Sequence, residues 1–327
     1  MSTGEARATA VSDEIQRGVP VDPDEQLQTR VAWYYFVGNL TQQQIASRLG
    51  TSRVRVNRLL ASCRENGIAQ ISINSKLASC VELEEALVSR YGLEAAVVVP
   101  TPENPAFLRE AIGVGAGTFL AERIEDGMTV GIGWGRTLRP VMRNLPGRSL
   151  RDLSVVSLQG GLSHCSRINT FEIVSVFADL FDADRHYFAA PIYASSEEAR
   201  DIILQQSAIR ETYDKARRAN LAIITAGDLE ESLVITYGLD DPEDRARLAD
   251  AGAVGDVLGH FIDAEGRLVD HPLNRRTVAV ELDDLHGMDC VVLTTGGESK
   301  APVIRAMLRG GYLNVLVTDE NTARKVC

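Results

Sequence analysis

The sequence lacks the patterns that mark metalloproteins and disulfide-rich proteins. Its five cysteines form no CxxC pair, which argues against a disulfide framework and against a zinc knuckle. They are scattered along the chain at Cys63, Cys80, Cys165, Cys290 and Cys327. The five histidines are dispersed and show neither HxxxH nor HExxH spacing. We therefore expect buried or inert thiols and no metal site.

Long hydrophobic runs are also missing. No stretch approaches the roughly 20 consecutive apolar residues that a membrane-spanning helix needs, and the first 26 residues lack the apolar core of a signal peptide. Hydrophobic residues make up 45% of the 327 positions and charged residues 24%, as in ordinary globular proteins. We expect a cytoplasmic protein without membrane contact, with two domains or one large α/β domain carrying an appendage.

The chain is acidic overall but carries one basic segment. Between Leu27 and Lys76, seven basic residues accompany a single acid, so this segment carries +6. Because the whole chain carries −11, the remainder carries −17. Such an asymmetry is typical of a small module that binds a polyanion and is attached to an acidic body.

Two short helical patterns meet at a glycine within this basic segment, in "TQQQIASRLGTSRVRVNRLL" (residues 41–60). Thr41 is a good N-cap, and Gln44 follows at capping-box spacing. Gly50 is suited to end the first helix in the left-handed conformation. Ala46 is the small residue that lets the two helices cross closely. The spacing predicts a helix-turn-helix.

The flanking residues extend this prediction to a domain. The helical stretch "EQLQTRVAWYYF" precedes the pair, and the second helix of the pair is expected from near Ser52 to Gly67. Residues 68–74, "IAQISIN", alternate apolar and polar side chains as a short strand does, and this strand would serve as a wing. We expect a helix-turn-helix domain over residues 25–75, after a flexible segment over residues 1–24.

The outward face of the pair has side chains that suit DNA. Arginine can bind guanine with two hydrogen bonds and asparagine can bind adenine, while glutamine and serine suit backbone phosphates. The candidate contacts are Thr41, Gln42, Gln43, Ser52, Arg53, Arg55, Asn57 and Arg58. The competing interpretation is a solvated basic face on a core-packed hairpin. The helix spacing, the +6 charge and the wing-like strand together favour double-stranded operator DNA as the partner.

From about Leu93 the pattern changes to alternating strands and helices. Seven apolar strand candidates occur, in "AAVVVP", "MTVGIGWG", "LSVVSLQGG", "RHYFAAPIYA", "LAIITAGD", "DCVVLTTGG" and "LNVLVTDE". Apolar strands alternating with helices predict a parallel sheet covered on both faces, in a larger Rossmann-like α/β domain. We place this effector and oligomerisation domain over residues 93–327, joined through a helix-forming linker over residues 76–92.

Glycine-rich turns end several of these strands, at the edge where α/β sheets bind ligands. In "GIGWGRTL" (residues 131–138), small residues allow an anion to approach the backbone, and a hydroxyl and a guanidinium follow. The candidate contacts are Gly133, Trp134, Gly135, Arg136 and Thr137. A dinucleotide fingerprint is disfavoured because the pattern is GxGxG and Asp152 precedes the next strand. A simple tight turn remains an alternative, and we expect no cofactor.

Further candidates lie elsewhere in this domain. They are Gly160, Gly161, Asn169, Asp256, Phe261 and Lys300. Lys300 lies at a glycine-rich strand-to-helix turn and can neutralise a phosphate as a point charge. Turn formation is the alternative role for the two glycines, helix capping for Asn169 and core packing for Phe261. With Arg136 and Lys300 as its cations, the rim fits a sugar phosphate or a polyol.

The motifs resemble those of the SorC family of bacterial sugar-responsive transcriptional regulators. The resemblance is carried by "LTQQQIASRLGTSRVRVNRLL", "GIGWGRTL", "LQGG", "YFAAPIYA", "GAVGDVLGHFIDAEGRLV" and "LTTGGESKAPVIRAMLRGGYLNVLVTDENTA", and it covers residues 25–327. It implies a winged helix-turn-helix and an effector domain that resembles sugar-phosphate isomerases but acts as a sensor. It also favours ligand contact for Asp256 and a phosphate role for Lys300.

The resulting prediction is a transcriptional regulator of carbohydrate metabolism whose operator affinity an effector controls. One helix-turn-helix covers a half-site, so a homodimer or homotetramer on a pseudo-palindrome is expected. The alternative is a sugar-phosphate isomerase or deaminase with an accessory helical domain. Such an enzyme needs a poised acid or base, and Asp256 is the one rim carboxylate that the sequence suggests. A carbohydrate-binding protein without DNA contact is a third possibility.

Overall fold

The computed structural model divides the chain into two compact units, residues 1–74 and 75–327. It describes residues 23–38, 40–65, 68, 77–162, 170–230, 232–237 and 243–327. Asn169 and the expected wing strand after residue 68 lie outside the described residues, as does nearly all of the segment expected to be flexible.

The N-terminal unit is helical. Its helices are α1 (Pro23–Ala32), which continues into a π-helical turn (Trp33–Val37), α2 (Gln42–Arg48) and α3 (Arg53–Glu65). Both α1 and α2 pack against α3. The predicted capping box is present, because the backbone N–H of Gln44 donates to Thr41 Oγ1 and the N–H of Thr41 donates to Gln44 Oε1. Gly50 adopts φ +61° after α2, as its position predicts.

A small apolar core holds these helices together. It consists of Val31, Ile45, Ala46, Val56 and Leu60. The apolar pattern of the second helix favours Val56 and Leu59 as its inward residues, but Leu60 is the buried residue and Leu59 is half-buried. The difference is physical: Val56 and Leu60 are four residues apart and therefore lie one above the other on the same side of the helix.

The C-terminal unit is built on a seven-stranded parallel sheet. Six of its strands lie within the predicted segments, whereas the fourth, Asp184–His186, overlaps only the start of "RHYFAAPIYA" (residues 185–194). The seven strands are β1 (Ala95–Val99), β2 (Thr129–Ile132), β3 (Ser154–Ser157), β4 (Asp184–His186), β5 (Leu221–Ile224), β9 (Cys290–Thr294) and β10 (Val315–Asp319). Their order is β1-β10-β9-β5-β2-β3-β4, with every neighbouring pair parallel. The apolar runs of these strands are mostly buried because helices cover both faces, whereas Asp184 and Arg185 of the edge strand β4 are exposed.

The helices of this unit lie mainly between the strands in sequence. They are α4 (Ala78–Tyr91), α5 (Leu108–Ala121), α6 (Leu138–Arg143), α7 (Thr170–Phe181), α8 (Glu197–Gln205), α9 (Ser207–Ala216), α10 (Leu233–Tyr237), α11 (Asp244–Asp250), α12 (Pro272–Arg276), α13 (Ala301–Arg309) and α14 (Glu320–Val326). The stretch from Ser196 to Ala219 forms two helices, because Gln206 adopts an extended conformation between them. Helix α4 packs against β1 and α14.

A second, small sheet is a feature that the sequence analysis missed. Its strands are β6 (Ala226–Gly227), β7 (Gly255–Val257) and β8 (His260–Ile262), paired antiparallel in that order. Strands of two or three residues are too short to show the period-2 alternation from which strands are predicted. This sheet starts two residues after β5 and brings Asp256 opposite Gly227.

The order of the large sheet contains a reversal between β2 and β5. From β2 the chain continues outward through β3 to β4, whereas β5, β9 and β10 follow one another towards the opposite edge. In open α/β sheets, ligands bind at such a reversal, outside the carboxyl ends of the strands. Among the described residues, no helix is long and apolar enough to cross a membrane.

Candidate functional site

A small cavity of about 50 Å³ lies at the carboxyl ends of β2 and β5, where the strand order reverses. It is lined by Arg109, Trp134, Gly135, Arg136, Thr137, Thr225, Ala226, Gly227, Ser232, Leu233, Asp256 and Lys300. The structure thus brings together residues that are up to 191 positions apart, from the start of α5, the loop after β2, the small sheet and the residue before α13. Its volume accommodates a few water-sized groups rather than a large ligand.

The loop after β2 is held closely against the residue that follows β5. A Cβ atom on Gly135 would lie 2.2 Å from Thr225 Oγ1, and Gly135 has φ +153°, so a side chain does not fit there. The hydroxyl of Thr225 donates to the carbonyl of Trp134 at 2.6 Å. These contacts fix the backbone just before Arg136 and Thr137, which line the cavity.

Lys300 is a half-buried cation of the cavity. Burial lowers the pKa of its ammonium group, and the positive charges of Arg109 and Arg136 lower it further, while Asp228 and Asp256 act in the opposite direction. Its Nζ lies 3.4 Å from Thr295 Oγ1. Three cationic side chains therefore converge on one cavity, and a bound anion would relieve their mutual repulsion.

Asp256 faces the same cavity and is 4% exposed. Burial raises the pKa of its carboxyl group to about 6, although a hydrogen bond from Ser232 and the charge of Lys300 oppose this shift. Its Oδ1 atom has no hydrogen-bond partner among the residues that the structure describes. Buried polar atoms are nearly always paired in folded proteins, so this oxygen is a ready acceptor for a ligand hydroxyl.

Two charged residues at this site were not among those predicted from the sequence. Arg109 lines the cavity from the first turn of α5, which follows β1. Asp228 follows β6, accepts from Ser299 Oγ at 2.8 Å and accepts from the backbone N–H of Glu230 at 3.0 Å. Arg109 comes ten residues after β1, in a turn without glycine, so the glycine-rich strand-to-helix turn that singled out Lys300 would not have found it.

Other candidates are not brought to the cavity. The backbone N–H groups of Gly160 and Gly161 donate to the carbonyls of Val278 and Ala190, at 2.8 and 2.9 Å, and so hold neighbouring loops together. The side chain of Phe261 is fully buried within the apolar core. These three positions thus have the packing and turn roles that were the alternatives to ligand contact.

A larger and more open groove of about 820 Å³ adjoins the cavity. The two share Arg109, Gly135 and Arg136. Ion pairs connect α6 to both flanking helices along this groove, Arg139 with Glu172 on α7 and Arg143 with Glu110 on α5. A ligand held in the small cavity could therefore extend past Gly135 into the groove.

The predicted DNA-contacting residues lie on α3, on the start of α2 and on the residues just before these helices. Exposed side chains are those of Thr41, Gln43, Ser52, Arg53, Arg55, Asn57 and Arg58. Gln42 is half-buried, and its Nε2 donates to Asn57 Oδ1 at 3.4 Å, which links the start of α2 to the outer face of α3. Among the described residues, no group of acidic, histidine or cysteine side chains could hold a metal ion.

Comparisons with known proteins agree with this arrangement. The family model described as "Putative sugar-binding domain" matches residues 75–327, and the model described as "Crp-like helix-turn-helix domain" matches residues 26–84. The erythritol catabolism regulatory protein EryD of Brucella abortus (strain 2308) is 32% identical over 306 residues, which cover 93% of this chain and 96% of that protein.

Two further relatives cover nearly the whole chain. The deoxyribonucleoside regulator of Bacillus subtilis (strain 168) is 33% identical over 92% of this chain and 96% of its own length. The crystal structure of the full-length sorbitol operon regulator SorC from Klebsiella pneumoniae superposes with a TM-score of 0.72 at 28% identity, covering 93% of this chain and 99% of that one. All three are regulators rather than enzymes. The chain therefore belongs to the SorC family of sugar-responsive transcriptional regulators, with a Crp-like helix-turn-helix and a sugar-binding α/β domain.

Proposed function

We propose that the effector of this regulator is a phosphorylated sugar or polyol that binds at the cavity between β2 and β5 and thereby shifts operator affinity. The observation that carries the proposal is the desolvated ammonium group of Lys300 beside Arg109 and Arg136. Three cations around a small cavity fit a phosphate, because they can form charge-assisted hydrogen bonds to its oxygens.

The hydroxyl-bearing part of the effector would lie against Asp256. Its buried Oδ1 atom supplies an acceptor, and Thr137 and Ser232 supply hydroxyl groups in the same cavity. The relatives' names refer to erythritol, to deoxyribonucleosides and to the sorbitol operon. Erythritol and sorbitol are polyols, and a deoxyribonucleoside contains a sugar. That range supports a polyhydroxylated effector without selecting one compound.

DNA binding is assigned to residues 25–75, with α3 in the major groove. Arg53, Arg55, Asn57 and Arg58 would contact bases and phosphates from its exposed face, and Gln42, Gln43, Thr41 and Ser52 would contact the backbone. Residues 93–327 would bind effector and form the homodimer or homotetramer that two half-sites require. The helix-containing stretch over residues 76–92 would connect the two.

A ligand panel on the intact protein tests the effector assignment. Thermal unfolding and isothermal titration calorimetry are measured with matched pairs of free and phosphorylated sugars and polyols. We expect a phosphorylated compound to bind and to raise the unfolding temperature, while its free counterpart binds much more weakly.

Lys300→Met supplies the residue-level test. Because hydrogen bonds to charged groups contribute about 1.5–3 kcal/mol, effector affinity should fall roughly 10- to 100-fold. Lys215→Met is the matched control, since Lys215 donates to Ser154 at the opposite, amino-terminal end of β3. Equal binding of free polyols, or an equal effect of both substitutions, would show that no phosphate is held by Lys300.

A further inference from the structure

Helix α3 has one large apolar side chain that does not pack into the apolar core of the N-terminal unit. Val54 is 73% exposed, the highest value among the exposed large hydrophobic residues, whereas Val56 is fully buried and Leu60 nearly so. Val54 precedes Val56 by two residues, a rotation of about 200° around a helix, so it lies on the side facing away from the core.

The neighbours of Val54 on the helix surface are the predicted base-contacting residues. Residues three and four positions apart are adjacent on a helix, which places Val54 beside Asn57 and Arg58. Both of these side chains are exposed. Val54 is also the second residue of α3, and in helix-turn-helix proteins the N-terminal residues of the second helix contact the base edges.

An exposed valine at this position can make apolar contacts only. It has no hydrogen-bonding group for phosphates or for polar base edges, and valine is a poorer helix former than alanine, lysine or glutamine at an exposed position. In the major groove, the C5-methyl group of thymine is the feature that apolar side chains contact.

We propose that Val54 is a specificity-determining residue that packs against a thymine methyl group in each operator half-site. The proposal rests on the proposed placement of α3 in the major groove. It adds an apolar contact to a surface whose other predicted contacts are polar or charged.

The test compares thymine with deoxyuridine, which differs from it by this methyl group alone. A duplex is selected from random sequence by binding to the full-length protein, and deoxyuridine then replaces thymine at one position of the half-site at a time. For the wild type, we expect one position at which replacement weakens binding about fourfold, the effect of one buried methyl group of about 0.8 kcal/mol.

Val54→Ser is measured on the same series, because serine and valine have similar helix propensities and the variant should fold. We expect it to bind the thymine duplex more weakly and to be insensitive to deoxyuridine at that position, with an unchanged dependence on salt. Val37→Ala, which shortens another exposed valine of the same unit, should keep the full sensitivity.

Two outcomes would overturn the inference. Deoxyuridine could have no effect at any position, or it could weaken the wild type and Val54→Ser by the same factor. Either result leaves the DNA-binding assignment intact, because both proteins still bind the selected duplex. Failure of the wild type to select any duplex is a different result, and it would overturn the proposed DNA binding itself.

Discussion

Asp256 is the buried carboxyl group of the candidate site, and its burial has a cost for folding. Burial raises the pKa of its carboxyl group to about 6, compared with about 3.9 in an unfolded chain. The folded protein therefore holds this proton more tightly than the unfolded chain does. The resulting stabilisation is complete below about pH 4 and is lost as pH rises through 6, a change of about 3 kcal/mol.

Asp256→Asn should stabilise the protein when no effector is bound. The substitution keeps the shape of the side chain and removes the buried charge, so we expect the free energy of unfolding to rise by about 1–3 kcal/mol at pH 8. The gain should be clearly smaller at pH 4.5, where the wild-type carboxyl is protonated. Denaturant unfolding at the two pH values measures both.

The exposed Asp250 provides the matched control for this substitution. Asp250→Asn should change the free energy of unfolding little at either pH. If Asp256→Asn instead lowered stability at pH 8, the ionised carboxylate would be stabilised by Lys300 more than it is destabilised by burial.

At the scale of elements, α3 is the part of the chain that should bind DNA. Arg53→Ala combined with Arg58→Ala removes two exposed charges from its outer face. We expect operator affinity to fall at least 100-fold and the dependence of affinity on salt to become less steep by up to about two counterions. Fluorescence anisotropy across a salt series gives both quantities.

The control variant removes the same amount of positive charge from the C-terminal unit. Arg210→Ala combined with Arg218→Ala removes two exposed arginines at α9 and just after it, in the other unit. This pair should leave operator affinity and its salt dependence unchanged. Similar losses for both double variants would mean that the net charge of the protein, rather than α3, determines affinity.

Most elements could be predicted because their signals are local. Six strands of the large sheet are apolar runs between helical segments, and the pair of helices α2 and α3 is marked by the capping box at Thr41 and by Gly50. The small sheet could not be predicted in this way. Its strands of two and three residues depend on pairing between residues 226–227 and 255–262, which lie far apart in sequence.

The candidate site was predictable to a similar degree. Trp134, Gly135, Arg136, Thr137, Asp256 and Lys300 were singled out and all line one cavity. Gly160 and Gly161 have the same sequence signal, a glycine pair after a strand, but their amides pair with other loops. Which strand-end loops face one cavity depends on the strand order, and the sequence pattern does not contain that order.

At the scale of the whole molecule, the proposed function requires coupling between two compact units. Effector binding in residues 75–327 can alter DNA binding by residues 1–74 only if the effector prefers one conformation of the protein. The coupling is reciprocal, so operator DNA must change effector affinity by the same factor, typically 5- to 150-fold. Lys300→Met should weaken effector binding without changing operator affinity in the absence of effector.

The most direct test measures the Kd of the intact protein for its own upstream DNA, with and without a saturating concentration of the sugar phosphate that the panel identifies. We predict that the Kd changes at least fivefold for the wild type and for Lys215→Met, and that it changes clearly less for Lys300→Met at an effector concentration that only just saturates the wild type. An operator Kd that does not change when the wild type is saturated would contradict control of DNA binding by this site.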